Sequence, residues 1–328
     1  MSRPRIGFLG VGWIGRHRME AMLATGAVEA VAVADPSAEC VGQALALAPG
    51  ADVADGLEGL LAAGVDGVVI ATPSALHAEQ SIQALGAGAA VFCQKPLGRD
   101  SGEARAVVEA ARAADRLLAV DLSYRFTEGA RLIKERLDSG GLGRVYAVDL
   151  VFHNAYGPDK PWFYDPALSG GGCVIDLGVH LVDLALWALD FPRVSGVSSH
   201  LLAGGETLKP GGVEDYAAAN LELEGGGSVR LACSWRLPAG RDAIISASFY
   251  GTGGGAALRN VGGSFYDFEA ELYHGTAAET LASPPDEWGG RAAADWARRL
   301  AAGERFDPAA ARLVEVAQVL DRIYGRGG

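Results

Sequence analysis

Clusters of basic residues are absent from this 328-residue sequence. Lys and Arg together number 28 against 40 Asp and Glu, so the formal net charge is −12 and the sequence pI is about 5.0. Proteins that bind nucleic acid usually carry Lys and Arg concentrated on one face. The composition therefore predicts no nucleic-acid partner, and no internal repeat or low-complexity linker suggests an extended or disordered protein.

Cysteine is also scarce, and the few cysteines lack any metal-binding or redox spacing. No CxxC pair occurs among them. Thiols scattered through apolar segments are typical of buried cysteines in a reducing compartment. We expect no disulfide framework and no metal site from these four residues, which are Cys40, Cys93, Cys173 and Cys233.

Uninterrupted apolar runs of membrane-spanning length are missing as well. The longest apolar helix candidate, at about 174–189, contains Asp176, His180 and Asp183, which disfavours a transmembrane helix. The first apolar run begins at Ile6, so no signal peptide is expected. The sequence predicts a cytoplasmic protein with no membrane partner.

A glycine-rich turn near the N-terminus is the most informative motif that is present. An apolar run at residues 5–9 leads into Gly10-x-Gly12-x-x-Gly15, and a helix is predicted from about 16 to 25. Gly10 permits a tight turn, Gly12 allows close approach of a pyrophosphate, and Gly15 allows the helix to pack on the strand. This strand–turn–helix context predicts a dinucleotide-binding site.

Asp35 indicates which dinucleotide the site prefers. It ends a second apolar run at 28–34, about 20 residues after the last glycine. A carboxylate there can accept hydrogen bonds from the adenosine ribose and would repel a 2′-phosphate. Pro36 and Ser37 supply no arginine for such a phosphate, although Arg16 leaves NADP open. The sequence favours NAD over NADP.

Further strands alternate with helices through the rest of the first half. Strands are predicted at 65–71, 89–93 and 117–122, and their apolar runs indicate a parallel sheet buried on both faces. Ligands bind at the carboxyl ends of such strands. The predicted cofactor-binding residues are Gly10, Gly12, Trp13, Ile14, Gly15, Asp35, Thr72, Pro73, His77, Gln94 and Lys95.

The second half has a different pattern. After a predicted helix at about 127–137 and the breaker at 139–141, strand-like segments follow without regular helices between them. We therefore predict a doubly wound α/β Rossmann domain at 1–123. It is followed by an α+β domain at 124–328 with an open, mostly antiparallel sheet.

Asp176, His180 and Asp183 fall at i, i+4 and i+7, and so on one face if their segment is helical. A neutral imidazole can accept a proton from a substrate hydroxyl, and a nearby carboxylate can orient it. Taken alone, the pattern is explained better by a buried helix with internally satisfied polar groups. A metal site is a weaker alternative, because no further ligand is clustered with these residues.

Taken together, the glycine motif, Gln94-Lys95-Pro96 and the 170–183 segment resemble the glucose–fructose oxidoreductase/inositol dehydrogenase (Gfo/Idh/MocA) family, with 162–166 strengthening the likeness. The resemblance implies NAD(P)-dependent oxidation or reduction of a sugar, cyclitol or related polyol. It also implies a homo-oligomer, a dimer or tetramer, formed through the antiparallel sheet.

The same resemblance implies roles for three residues. Lys95, Asp176 and His180 correspond to the family's catalytic positions, with His180 as the general acid/base. Gln94 is a departure, because the family usually has Glu before the lysine. Its neutral side chain would make the ammonium form of Lys95 less favoured.

Substrate contacts are predicted for six residues, although a hinge role explains Arg125 equally well and core packing is an alternative for Trp162. They are Lys95, Arg125, Asn154, Trp162, Asp176 and His180. Three alternatives to the polyol reaction remain. They are a nucleotide-linked or amino-sugar substrate, for which Arg125 and Lys160 would be the basic groups, a non-sugar carbonyl or imine, and a non-catalytic NAD-sensing regulator.

Overall fold

The computed structural model describes residues 2–326, which form two compact units. The first runs from the N-terminus to Asp121 and also contains Gly290–Glu315. The second contains Leu122–Gly289 and the chain from Val316 onward. The sequence-based division at 123/124 did not anticipate that residues 290–315 return to the first unit.

Unit 1 is built on a six-stranded sheet in which every pair of neighbours is parallel, in the order β3-β2-β1-β4-β5-β6. Its strands are β1 (Arg5–Leu9), β2 (Glu29–Ala34), β3 (Asp52–Val53), β4 (Gly67–Ile70), β5 (Ala90–Cys93) and β6 (Leu118–Val120). Its helices are α1 (Trp13–Ala24), α2 (Ala38–Leu47), α3 (Gly56–Ala62), α4 (Ser74–Gly86), α5 (Ser101–Ala114) and α9 (Arg291–Ala301).

Helix α9 belongs to unit 1 because its Trp296 fills a space over the sheet. The Trp296 side chain is fully buried, and its ring lies 5.9 Å from that of Phe92 on β5. A Cβ at Gly67 would come within 2.7 Å of the Trp296 ring. Residue 67 therefore has to be glycine for this ring to lie against β4.

Unit 2 contains a nine-stranded sheet in the order β15-β14-β13-β12-β7-β11-β10-β8-β9. Its strands are β7 (Val145–Asn154), β8 (Val194–Ala203), β9 (Glu206–Thr207), β10 (Tyr216–Leu223), β11 (Ser228–Ser234), β12 (Ala243–Gly251), β13 (Gly255–Asn260), β14 (Phe268–His274) and β15 (Ala277–Ala282). All neighbours are antiparallel except β7 and β11, which are parallel. The predicted fold class is confirmed.

Helices cover one face of this sheet. They are α6 (Glu128–Asp138), α7 (Pro166–Ser169), α8 (Val179–Ala188) and α10 (Ala311–Ile323), the last of which begins in unit 1. By length and composition, the run Pro166–Ala188 could cross a membrane, but 83% of its apolar window is buried inside the structure. That burial is typical of a core helix in a globular protein.

Several elements were not predicted, and most of them are short or amphiphilic. They are β3, α3, α7, β9, α9 and the strands β13 to β15. Helix α1 also begins at Trp13, three residues earlier than predicted. The missed strands lie between glycine-rich turns, and their alternation is too short to give a clear period.

Candidate active site

The glycine turn between β1 and α1 is held by close backbone packing. Gly10 has a φ of +82°, and a Cβ there would lie 2.6 Å from the Ala71 carbonyl oxygen. A Cβ at Gly15 would lie 2.0 Å from the Gly10 carbonyl oxygen, whereas a Cβ at Gly12 would meet nothing within 4 Å. Gly10 and Gly15 therefore shape the turn, and Gly12 leaves open space beside it.

The first turn of α1 leaves its backbone N–H groups open to an anion. No side chain caps the helix at Gly12, and its first turn holds no acidic residue. Ile14 is half-buried there, and the exposed Trp13 ring stacks on His17 with the ring centroids 5.9 Å apart. An uncapped helix N-terminus behind a glycine turn fits the pyrophosphate of a dinucleotide.

Asp35, directly after β2, is fixed beside that turn. One carboxylate oxygen accepts the Val11 N–H at 2.8 Å, and the other accepts the Ser37 N–H at 2.8 Å. The carboxylate therefore has a defined position, and its remaining lone pairs fit the hydroxyls of an adenosine ribose.

His77 on α4 links two of the predicted cofactor segments from inside. Its side chain is buried, and its ring nitrogens lie 2.6 Å from the Pro96 carbonyl oxygen and 2.7 Å from that of Thr72. Pro73 is the N-cap residue of α4, and Thr72 donates its hydroxyl to Gln80. Because both nitrogens of His77 are occupied by backbone, it braces the two loops and has no ring nitrogen available for a ligand.

Gln94 and Lys95 follow β5 and differ in exposure. Lys95 is half-buried, whereas Gln94 is buried and donates its side-chain amide to Asp121 at 2.6 Å. Gln94 therefore lies within the core of unit 1, and the adjacent Lys95 keeps partial access to solvent.

In unit 2, Asp176 and His180 lie on a helical segment that is otherwise buried. Among the described residues 169–186, these two are partly accessible and all the others are buried. Asp176 is in a π-helical turn, Val174–Gly178, that continues directly into α8. Such turns interrupt regular α-helix and often occur at functional sites.

Aromatic side chains surround both residues. The Trp235 indole N–H donates to an Asp176 carboxylate oxygen at 3.0 Å. The Tyr124 and Phe152 rings lie 4.9 Å and 6.2 Å from the His180 ring. Asp176 is thus oriented by a hydrogen bond, and His180 is held by ring packing.

Asp183 and Arg125 form an ion pair with two hydrogen bonds beneath this site. Asp183 is buried, and Arg125 Nε donates to it at 2.7 Å. Burial raises the pKa of the Asp183 carboxyl, and Arg125 opposes that rise. The Arg125 guanidinium also lies over the Trp187 and Phe191 rings, so these contacts already account for this predicted substrate-binding residue.

The other predicted substrate residues lie near the end of β7. Asn154 is half-buried, and its Oδ1 has no hydrogen-bond partner among residues 2–326. Trp162 is half-buried and stacks on Phe163 at 3.8 Å. Lys160 is exposed and lies beside Asp159. Within residues 2–326, no group of three or more His, Cys, Asp or Glu is arranged to hold a metal ion.

Comparison with known proteins now identifies the family. Residues 4–122 match the model of the oxidoreductase family with an NAD-binding Rossmann fold, and residues 130–257 match the GFO/IDH/MocA C-terminal domain. The chain belongs to the GFO/IDH/MocA family. Its resemblance to that family, expected from the sequence, is confirmed, and so is its NAD-binding domain.

Several curated family members are similar to this one. The D-glucoside 3-dehydrogenase of Escherichia coli K12 is 32% identical over 61% of this chain and 60% of its own length. An inositol 2-dehydrogenase of Rhodococcus erythropolis is 33% identical over 68% and 62%. These matches span less than two thirds of the relatives. A putative UDP-kanosamine synthase oxidoreductase subunit of Amycolatopsis mediterranei is 32% identical over 78% and 75%.

Solved structures extend the comparison over nearly the whole chain. GenD2 from gentamicin A biosynthesis, in complex with NAD, is 26% identical with a TM-score of 0.82, covering 99% of this chain and 94% of its own. A levoglucosan dehydrogenase complex with NADH and levoglucosan has a TM-score of 0.85 at 21% identity, with 99% and 97% covered. The second likeness establishes the fold alone.

Two residues that the sequence did not single out fix the start of the helical segment that carries Asp176 and His180. The buried Glu214 carboxylate accepts the N–H groups of Gly172 and Val174 at 3.0 and 2.9 Å, and the Tyr324 hydroxyl at 2.7 Å. Burial raises the pKa of Glu214, and these hydrogen bonds oppose the rise. We call Glu214 and Tyr324 the helix clamp.

The helix clamp also explains the glycines that precede the site. A Cβ at Gly171 would lie 2.1 Å from the Tyr324 hydroxyl oxygen, and one at Gly172 would lie 1.9 Å from the Glu214 carbonyl oxygen. The sequence signal was therefore Gly170-Gly171-Gly172 itself, which requires a close neighbour.

We predict that Glu214→Gln destabilises the protein by about 1–3 kcal/mol, because an amide NH₂ would face backbone donors that need an acceptor. The free energy of unfolding from urea titration measures this. Glu206→Gln, at an exposed position on β9, is the matched control and should change little. Equal stability of the Glu214 variant and the control would contradict a supporting role for the clamp.

Proposed function

We propose that this protein is an NAD-dependent oxidoreductase that transfers hydride between the nicotinamide and a carbinol or carbonyl carbon of a sugar, cyclitol or related polyol. The observation that carries this proposal is the placement of Asp176 and His180. They are the partly accessible positions of the otherwise buried segment 169–186, in a chain with an NAD-binding domain. A buried structural helix gives no reason to expose just these two polar residues.

The proposed mechanism assigns one role to each of three side chains. The bound cofactor supplies the hydride acceptor or donor. His180 takes the proton from the substrate hydroxyl as hydride leaves, and returns it in the reverse direction. Lys95 hydrogen-bonds the reacting oxygen, and Asp176, oriented by the Trp235 indole, positions the substrate or His180.

The cofactor preference is proposed from Asp35. Its carboxylate is held by two backbone N–H groups, so it cannot turn away from a 2′-phosphate without losing both hydrogen bonds. The resulting charge repulsion supports NAD over NADP.

A hydroxylated substrate is supported by the side chains near Asp176. Trp235 and Phe163 contact each other edge to face, and Phe163 stacks on Trp162. Aromatic faces bind the C–H surfaces of sugar rings, so this cluster of rings suits a sugar or cyclitol. The names of the relatives agree, because they include D-glucoside, inositol and levoglucosan dehydrogenases.

We predict that His180→Ala lowers kcat by about 10²–10⁴-fold, because a positioned base contributes on that scale. The assay follows NADH formation at 340 nm with a panel of sugars, cyclitols and sugar acids, and is repeated with NADP. His274→Ala, at an exposed position on β14, is the control. Undiminished turnover in His180→Ala would refute the assigned base. NAD binding without turnover of any panel compound would favour the regulatory alternative.

A second candidate substrate class, an anionic sugar such as a nucleotide-linked one, is favoured by Arg236. This residue follows Trp235 directly and has a φ of +58°, a left-handed conformation that is strained for arginine. Its guanidinium lies 5.2 Å from the Tyr164 ring centroid and donates to the Tyr164 hydroxyl at 3.1 Å. A fixed, exposed guanidinium suits a phosphate or carboxylate.

Arg236 also differs from the two basic residues expected from the sequence, because each of those two lies beside a carboxylate. Arg125 is paired with Asp183, and Lys160 lies beside Asp159. Arg236 makes no ion pair within the described part of the chain. The relative named as a putative UDP-kanosamine synthase oxidoreductase subunit supports testing this class.

We predict that, if an anionic sugar is the substrate, Arg236→Gln raises its KM by about tenfold or more, as expected for the loss of one charge-assisted hydrogen bond. The KM of an uncharged polyol should stay unchanged. Arg241→Gln, at an exposed position nearby in sequence, serves as the control. An Arg236 variant that binds both substrate types as well as wild type would exclude this candidate.

We also propose that the protein forms a homo-oligomer through the outer face of the nine-stranded sheet. On β7, the side chains facing the helices are buried, whereas those on the opposite face are half-exposed. That outer face carries small or apolar residues, among them Val151, Ala218, Ala232 and Ile244 across four strands, beside the Asp149–Arg230 ion pair. Such a face suits contact with another protein surface. The cytoplasmic location stays a prediction.

We predict that Val151→Lys converts the oligomer to monomer, because the lysine would be buried unpaired at the centre of that face. Sedimentation velocity measures the oligomeric state. Val53→Lys, at an exposed position in unit 1, should leave it unchanged. A wild-type protein that is already monomeric would refute the proposed assembly.

A further inference from the structure

Gln94, the departure from the family motif, forms part of a buried polar cluster in unit 1. Its Nε2 donates to Asp121 Oδ2 at 2.6 Å, and Arg18 Nε donates to the same oxygen at 2.6 Å. The three residues retain only 8%, 1% and 6% of their accessible surface, respectively. The cluster therefore has one carboxylate, one guanidinium and one amide in a place that water hardly reaches.

The chemistry of this cluster fits an amide at position 94. An ionised carboxylate only accepts hydrogen bonds, and Gln94 supplies one donor to Asp121 beside that of Arg18. A glutamate in the same rotamer would bring a second carboxylate to about the same separation, where two such groups cannot both stay ionised. Asp121 and a glutamate at position 94 are thus incompatible unless one of them holds a proton.

Backbone hydrogen bonds connect this cluster to the chain at Lys95. The Gln94 N–H donates to the Ile70 carbonyl oxygen at 2.8 Å, and the Asp121 N–H donates to that of Cys93 at 2.9 Å. The carboxyl ends of β4, β5 and β6 are joined in this way. Because Lys95 follows Gln94 directly, the Gln94 side-chain contact limits how the Lys95 backbone can move.

We propose that Gln94 and Asp121 are a positioning pair for Lys95, and that this chain carries at position 121 the carboxylate that the family motif carries at position 94. Arg18 on α1 fixes the carboxylate from the side of the cofactor turn. The anion close to Lys95 is therefore relocated in this protein, and its loss at position 94 is compensated. This inference rests on the proposed role of Lys95 in hydride transfer.

The exchange of the two side-chain types tests the pair. We expect Gln94→Glu alone to lower kcat by about 10²-fold, the scale of a reacting group misplaced by about 1 Å, with a smaller effect on KM. Gln94→Glu combined with Asp121→Asn restores one donor and one carboxylate, so it should recover most of that loss. Gln83→Glu, at an exposed position on α4, is the matched control. A double variant as impaired as the single one would overturn the proposal.

A readout on Lys95 itself separates this proposal from the proposed function. The sequence has four lysines, Lys95, Lys134, Lys160 and Lys209, so NMR of ¹³C-labelled lysine resolves each one, and Lys95→Arg assigns the signal. We expect the Lys95 signal to shift in Gln94→Glu and to return in the double variant, with or without turnover. If the wild type oxidises no polyol while this response occurs, the proposed function fails and the positioning pair stands. An unshifted Lys95 signal in a folded Gln94→Glu variant would show that the pair only stabilises the fold.

Discussion

The interaction on which the site in unit 2 depends is the contact of the Glu214 carboxylate with free backbone N–H groups. A helix begins with donors that have no intrahelical partner, and here that beginning is buried. The Glu214 carboxylate and the Tyr324 hydroxyl satisfy it, and they pack so closely that residues 171 and 172 have no space for a Cβ. This fixes the start of the π-helical turn, and so the direction in which Asp176 points.

The equivalent constraint in unit 1 is steric. Gly10 and Gly15 lie so close to each other and to Ala71 that the glycine turn has little freedom, and Asp35 is attached to it through the Val11 N–H. Both units thus use the same arrangement, in which glycines allow close backbone packing and a carboxylate fixes the adjacent backbone. In unit 1 this leaves N–H groups at α1 open for an anion, whereas in unit 2 a carboxylate of the protein itself occupies them.

The fold class was predictable because it depends on patterns that repeat along the chain. Alternating apolar runs and helices indicated the parallel sheet. The Gly10–Gly15 turn with Asp35 indicated the edge of that sheet at which a ligand would bind. The candidate site was predictable only where adjacent positions carry the signal, as with Asp176 and His180. Trp235, Glu214 and Tyr324 contact this segment from 40 to 149 positions away. A single sequence has no local periodicity that reports contacts over such separations. The pairing of Arg125 with Asp183 could not be predicted for the same reason, because the two residues are 58 positions apart.

Gln94 shows why a motif residue has to be interpreted with its spatial neighbours. From the sequence, an amide in place of a glutamate looked like the loss of an anion beside Lys95. In the structure that amide donates to Asp121, 27 residues later. A carboxylate therefore lies beside the side chain of residue 94, and it is supplied by the residue that follows β6. Buried charge is costly unless it is paired, and one Arg18 can compensate one carboxylate but not two. The electrostatic requirement therefore belongs to the cluster, and either position can hold the carboxylate as long as the other supplies the donor.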